Sequence, residues 1–207
     1  LSGLKPQKYR LLNTYYDTPD FDLRQRGIAV RLRRKGWAIW LMTVKVGAAG
    51  AGGLAQRSEW EAVTQPGVFD FSIVTDAGLR EFLQAHQSQL QTVFSTDFTR
   101  TAWTLSQAGS VIELALDRGR INAAGAGQAP LSEALCELEL ELLVGETPDP
   151  LFALAIALAT DLQLHPEIAS KAERGYALAN GATANPLKSL ASPIDKAMSP
   201  VESFRSI

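Results

Sequence analysis

The sequence is poor in residues that form cross-links or bind soft metal ions. Its 207 residues include one cysteine, Cys136, and two histidines, His86 and His165. A single cysteine excludes an internal disulfide and a multi-cysteine zinc site. Cys136 lies on the apolar phase of its segment and is predicted to be a small buried hydrophobe. Neither histidine belongs to a recognisable serine or cysteine nucleophile motif, so we expect no histidine-based catalysis.

Long apolar runs are also lacking. No stretch approaches the roughly 20 residues that a transmembrane helix needs, and residues 1–5 lack the charged and apolar regions of a signal peptide. We therefore expect no membrane partner and a cytoplasmic location. Hydrophobic residues make up 46% of the chain and charged residues 20%, which is typical of a folded globular protein.

The net charge of −2 conceals an uneven distribution. Residues 1–57 contain 11 Lys and Arg against 3 Asp and Glu, whereas residues 58–167 contain 4 against 16. Such a separation favours either a homodimer, with unlike surfaces in contact, or a fold in which the two halves face each other around one site.

Hydrophobicity with a period of two predicts strands with one apolar and one charged face. They lie at 9–15, 28–33, 40–45, 57–61, 97–105, 111–118 and 136–142. Helical spacing predicts a helix over 76–90 and an amphipathic one over 148–164, and glycine-rich loops are predicted at 47–53 and 123–130. The four tryptophans, including Trp37, fall on the apolar faces of their segments, opposite the arginines. Stacking of bases on them would need basic side chains on the same face, so we expect no nucleic-acid partner.

The charged faces of these strands need partners of opposite sign. Glu137, Glu139 and Glu141 share one face at a spacing of ~6.6 Å, so they repel one another unless cations lie between them. Arg31 and Arg33 have the same problem with the opposite sign. A barrel with a charged lumen and helices packed outside solves both. A solvated sheet face, or ion pairs within a sheet, is the structural alternative.

The two charge types together indicate a chemistry. Guanidinium groups bind phosphate oxygens in pairs. Carboxylates are suited to Mg²⁺ or Mn²⁺ that is bound together with phosphate oxygens. A lumen that contains both therefore predicts a metal–polyphosphate site.

Seven segments, in this order, resemble the CYTH family of triphosphate tunnel metalloenzymes over about residues 1–180. The segments are Tyr15-Tyr16-Asp17-Thr18-Pro19-Asp20, Arg31-Leu32-Arg33, Thr43-Val44-Lys45, Arg57-Ser58-Glu59-Trp60-Glu61, Phe94 to Arg100, Cys136 to Glu141, and Ser170 to Tyr176. The resemblance is closest to bacterial inorganic triphosphatases with a C-terminal CHAD domain. It implies a mainly β (α+β) fold, an antiparallel eight-stranded tunnel-like barrel, which hydrolyses tripolyphosphate with Mg²⁺ or Mn²⁺.

The resemblance also implies roles for particular residues. Six basic positions match those that bind phosphate, namely Arg31, Arg33, Lys45, Arg57, Arg100 and Lys171, with Lys45 and Arg100 also expected to act in catalysis. The expected metal-binding positions are Glu59, Glu61, Asp117, Glu139 and Glu141, with Glu137 in the same phase.

The chain departs from the family pattern in two places. The N-terminal strand with the pattern Glu-x-Glu-x-Lys is absent, so we expect the tunnel to lack one strand. Phe98 stands where some small relatives have a lysine implicated in activating water, which leaves the general base open. We expect a tunnel domain at 1–180, then a linker and the truncated start of a CHAD-like helical domain at 181–207. Alternative functions are a class IV adenylyl cyclase, a thiamine triphosphatase and a non-catalytic polyphosphate-binding module.

Overall fold

The structure is a computed structural model that describes residues 4–47, 57–107, 109–124 and 130–181. These residues form seven β-strands and four α-helices. The strands are β1 (Gln7–Asp17), β2 (Ile28–Lys35), β3 (Ile39–Val46), β4 (Ser58–Thr64), β5 (Gln91–Gln107), β6 (Ser110–Ala123) and β7 (Leu131–Val144); the helices are α1 (Asp22–Gln25), α2 (Ala77–His86), α3 (Asp149–Asp161) and α4 (Lys171–Ala179).

All seven strands belong to one antiparallel sheet in the order β4-β3-β2-β1-β5-β6-β7. The two edge strands come near each other on one side of the sheet: burial, then Glu113, then Glu59 of β4 raise the pKa of Glu141 on β7. The sheet is therefore curled. The predicted antiparallel, tunnel-like architecture is confirmed. The described strands number seven, and the sheet is open between β4 and β7.

The main apolar core lies on one face of the sheet, which we call the outer face; the opposite face is the inner face. Side chains of β2 and β3, among them Val30, Leu32 and Val44, are fully buried and pack with Phe71 and with Leu83 of α2. The predicted helix over 76–90 is confirmed for 77–86, where the Asp76 side chain accepts a hydrogen bond from the Leu79 backbone N–H at 2.8 Å. A short 3-10 turn at 87–89 follows it. The charged face of the sheet is therefore the inner one.

Helix α4 packs on that inner face, and the sequence analysis did not predict it. The Tyr176 hydroxyl donates to the buried Asp17 carboxylate at 2.7 Å, and burial followed by this bond raises the pKa of Tyr176. Asp17 also accepts from the backbone N–H groups of Leu23 and Arg24, each at 3.0 Å. One carboxylate thus joins β1, α1 and α4.

Three expectations need correction. Trp37 is 97% exposed because it lies in the turn between β2 and β3, beyond the cover of α2. Cys136 is exposed because it lies on the outer face of the edge strand β7, away from the half of the sheet that α2 covers. Helix α3 is apolar all round rather than amphipathic, and its Phe152 and Ile156 are exposed.

Several predicted segments include residues that the structure does not describe. Most of the predicted loops at 47–53 and 123–130 lie outside the described residues, as does the predicted linker and domain start from 182 to 207. Among the helices of the described ranges, none combines the length and hydrophobicity that crossing a bilayer requires.

Gly175 provides a test of how α4 is seated. A Cβ at this position would come within 2.0 Å of the Phe94 ring, which is 1% exposed and cannot move aside. We expect Gly175→Ala to lower the free energy of unfolding by about 1–3 kcal/mol, measured by urea denaturation. The control is Gly78→Ala in α2, where the nearest atom would be at an ordinary 3.6 Å. That change should be neutral or stabilising by up to about 1 kcal/mol. Equal stability of the two variants would contradict this packing.

Candidate active site

Charged side chains from six strands and α4 meet on the inner face of the sheet. The antiparallel register places Arg31 of β2 beside Thr43 of β3, and Arg100 of β5 beside Asp117 of β6. Because side chains alternate between faces, each of these pairs shares the inner face with the neighbours two residues away. The site has a basic half on β2, β3 and β4, and an acidic half on β6, β7 and α4.

Arg31 is the most constrained cation of the basic half. Its Nε donates to Thr43 Oγ1 at 3.2 Å, and Thr43 in turn donates to Glu61 at 2.8 Å. Glu59 and Glu61 lie 3.7 and 3.8 Å from Arg31 Nη2. Burial lowers the pKa of Arg31, but the Tyr15 hydroxyl and the two carboxylates outweigh it, so the pKa is raised overall.

Arg33 has a different environment. Its Nε donates to the Asn13 Oδ1 atom at 2.7 Å, and it forms no ion pair with any carboxylate of the described residues. Burial, followed by the nearby charge of Arg31, lowers the pKa of Arg33 to about 10. Both terminal nitrogens of Arg33 are therefore without a hydrogen-bond partner among the described residues. Its positive charge at the site is not compensated by any of their carboxylates.

The rest of the basic half comes from β3 and from the start of β4. Lys45 Nζ lies 2.9 Å from Glu59. Arg57, directly before β4, has a buried Nε without a hydrogen-bond partner in the described part of the chain. The basic half thus has four cations, and the carboxylates that accompany them are Glu59 and Glu61.

The acidic half is organised around Asp117, which is fully buried on β6. Arg100 binds it with two parallel hydrogen bonds, from Nε and Nη2, each at 2.8 Å. Arg100 also pairs with Glu139 and lies 3.5 Å from Glu113. Burial lowers the pKa of Arg100, but the bonds to Asp117 and the charge of Glu139 more than offset it, so the pKa is raised.

Lys171, the first residue of α4, lies among three carboxylates. Its Nζ is 2.9 Å from Asp117 and 2.7 Å from Glu139, and it also pairs with Glu137. Burial raises the pKa of Glu139, but the charges of Lys171 and Arg100 outweigh burial, so the pKa is lowered overall. Burial lowers the pKa of Lys171, but Glu139, Asp117 and Glu137 outweigh burial, so the pKa is raised overall. The helix begins here because Ser170 and Glu173 form a capping box.

Asp117, Glu137 and Glu139 form the group of acidic residues best arranged for a metal ion within the described ranges. Each offers an oxygen atom, and these atoms all lie within 4.8 Å of one another. Carboxylate oxygens are hard ligands of the kind that Mg²⁺ and Mn²⁺ prefer, so the donor set fits these ions. The Lys171 ammonium contacts the same oxygens, so it competes with a cation for them.

The other expected metal ligands lie elsewhere on the inner face, beside other side chains. Glu59 pairs with Lys45, Glu61 accepts from Thr43, and Glu141 lies near Glu113, so that burial and Glu113 raise its pKa. Arg174 of α4, which the sequence analysis did not single out, donates to Glu133 at 2.8 Å and to Glu137 at 3.1 Å. Its place in the Ser170–Tyr176 segment was the available signal.

A model of the CYTH domain matches residues 1–176. The chain belongs to the CYTH family. The inorganic triphosphatase of Haemophilus influenzae is 36% identical to the chain over 178 residues, which cover 84% of this chain and 47% of that protein. The chain therefore spans about half the length of this curated relative.

Two solved structures share the CYTH fold of the chain. The first is a Hippeastrum protein described as an adenylyl cyclase with a dominant triphosphatase activity. It has a TM-score of 0.59 and 16% identity, over 91% of this chain and 89% of that one. The second, a protein of Pyrococcus horikoshii, has a TM-score of 0.51 and 21% identity, over 83% and 85% of the two chains. At these identities the likeness shows the fold.

Removing the charge of Lys171 should destabilise the protein strongly. In Lys171→Met, the fully buried Asp117 loses one of its two cations, and unpaired buried charges cost ~3 kcal/mol or more of unfolding free energy. The control is Lys8→Met, because Lys8 is exposed on the outer face of β1, where such changes usually stay within about 0.5 kcal/mol. Chemical denaturation at neutral pH measures both. Equal midpoints would show that Lys171 does not hold the carboxylates together.

Proposed function

We propose that the protein hydrolyses inorganic triphosphate with the help of a divalent cation. The observation that carries this proposal is the division of charge across one inner face. The basic half has four cations against two carboxylates. The acidic half has five carboxylates in ion pairs with three cations, which are Arg100, Lys171 and Arg174. Glu141, near Glu113, adds a sixth carboxylate. A polyphosphate chain neutralises the first surplus and a divalent cation the second.

The proposed substrate ligands are the cations that extend into the site. Arg31 and Arg33 lie two residues apart on β2 and point to the same side, so together they can bind non-bridging oxygens of adjacent phosphates. Lys45 and Arg57 extend this surface towards β4, and Arg100 and Lys171 continue it on the other side. In this proposal Lys45 and Arg100 offset the charge that develops on the phosphate oxygens during transfer.

The proposed metal ligands are Asp117, Glu137 and Glu139. A bound Mg²⁺ or Mn²⁺ would supply charge neutralisation and polarise a phosphoryl oxygen. Glu59 and Glu61, which the resemblance assigns to metal binding, instead contact Lys45 and Arg31 in this structure and orient those cations. Support for the activity comes from the triphosphatase relative, whose sequence matches across most of this chain.

The preferred substrate should be tripolyphosphate rather than ATP. An adenine ring needs an aromatic platform. The inner-face aromatics Tyr15, Phe94 and Phe98 are buried, and the first two are stacked with centroids 4.4 Å apart. The half-buried Tyr9 ring is covered by Lys35, whose Nζ lies 4.4 Å from its centroid. We expect kcat/KM for tripolyphosphate to exceed that for ATP by about 10-fold or more, measured as orthophosphate release with Mg²⁺ and with Mn²⁺. Cyclic AMP as the main product would favour a cyclase. Binding of tripolyphosphate without hydrolysis of either compound would favour a polyphosphate-binding module.

The divalent cation should stabilise the fold through the acidic half. A ligand that binds only the native state raises the melting temperature, so millimolar Mg²⁺ or Mn²⁺ should raise the Tm of the wild type. Glu139→Gln removes one ligand charge and should reduce this rise by at least half. The matched control is Glu81→Gln on the exposed side of α2, which should respond as the wild type does. The same metal response in both variants would argue against the site.

A further inference from the structure

The inner face contains a buried polar pair that the proposed phosphate and metal sites do not use. Asn13 of β1 and Thr96 of β5 are both fully buried. Asn13 lies directly opposite Arg33 of β2 on one side and directly opposite Thr96 on the other. The three side chains therefore form one row across three neighbouring strands.

The hydrogen bonds in this row have a defined direction. Arg33 Nε can only donate, so Asn13 presents its oxygen to Arg33, at 2.7 Å, and its amide nitrogen donates to Thr96 Oγ1 at 2.8 Å. Because Thr96 is held by the sheet, Asn13 cannot rotate without losing one of the two bonds. Asn13 therefore fixes the plane of the Arg33 guanidinium, with both terminal nitrogens left free.

The absence of charge on the Asn13 side chain is as important as its geometry. The two buried arginines of the inner face are compensated by carboxylates, Arg31 by Glu59 and Glu61, and Arg100 by Asp117. Arg33 is oriented by an amide, which accepts a hydrogen bond without cancelling the charge. This arrangement holds a cation rigidly and still leaves its full charge for an incoming anion.

We propose that Asn13, anchored by Thr96, is a positioning residue that presents Arg33 to the terminal or middle phosphate of a linear polyphosphate. This inference rests on the proposed function, because it assumes that the anion of the site is a polyphosphate. It adds a selective requirement, since a neutral acceptor is needed at position 13 and a carboxylate of the same shape will not serve.

The decisive variant is Asn13→Asp, which keeps the shape and an acceptor for Arg33 but adds a negative charge. We expect the dissociation constant for tripolyphosphate, measured by calorimetry on the full chain without metal, to rise at least 10-fold, with the Tm unchanged or higher. Screening by salt should weaken binding less steeply than in the wild type, because one cation has been neutralised. Thr99→Asp is the control, since it adds the same charge on the outer face of β5.

Two further variants separate positioning from folding and from the proposed function. Thr96→Val frees Asn13 without changing any charge, so it should raise the dissociation constant at least 3-fold and leave the salt dependence unchanged. Arg33→Ala should raise it at least 10-fold. If Arg33→Ala weakens binding but Asn13→Asp and Thr96→Val do not, the positioning role is wrong and the phosphate site stands. If Arg33→Ala also binds as the wild type does, the proposed phosphate site is wrong as well.

Discussion

The pairing of buried Asp117 with Arg100 and Lys171 is the interaction on which the rest of the site depends. A carboxylate without solvent contact costs several kcal/mol of unfolding free energy unless cations compensate it. Its two cations come from β5 and from α4, so the second of them is in place only when α4 packs on the inner face of the sheet. The buried Tyr176–Asp17 bond holds α4 on the same face.

This need for compensating cations also explains why the inner face of the sheet is charged and the outer face is apolar. The inner face has to contain the charges, so most of the apolar side chains of β2 and β3 lie on the outer face, beneath α2. The exceptions on the inner face are two apolar clusters: Leu11, Phe98 and Leu135 form one, and Tyr15, Phe94 and Tyr176 form the other, near α4. There the helix takes the place of solvent, and aromatic rings replace charged groups.

The part of this arrangement that could be predicted from the sequence is the part that a period of two determines. Alternation alone places Arg31 with Arg33 and Glu137 with Glu139, and the structure has both pairs on the inner face. Alternation says nothing about what lies opposite, so the Asn13–Thr96 pair was missed, since both residues are neutral and belong to distant segments. Helix α4 was missed because its nine residues carry a weak apolar pattern, and its capping box alone does not show where it packs.

The cations that the resemblance treats alike differ in how freely they can meet an anion. Arg33 is held by a neutral amide, whereas Lys171 is engaged by three carboxylates. A phosphate can recruit Lys171 only if something else neutralises those carboxylates, and a divalent cation on the same oxygens would do so. In the proposed function, cation binding at the acidic half and anion binding at Lys171 would therefore favour each other, and by linkage each would raise the affinity for the other equally. Arg33 needs no such help, because no carboxylate of the described residues pairs with it, so in the proposed function the basic half would bind the polyphosphate chain first.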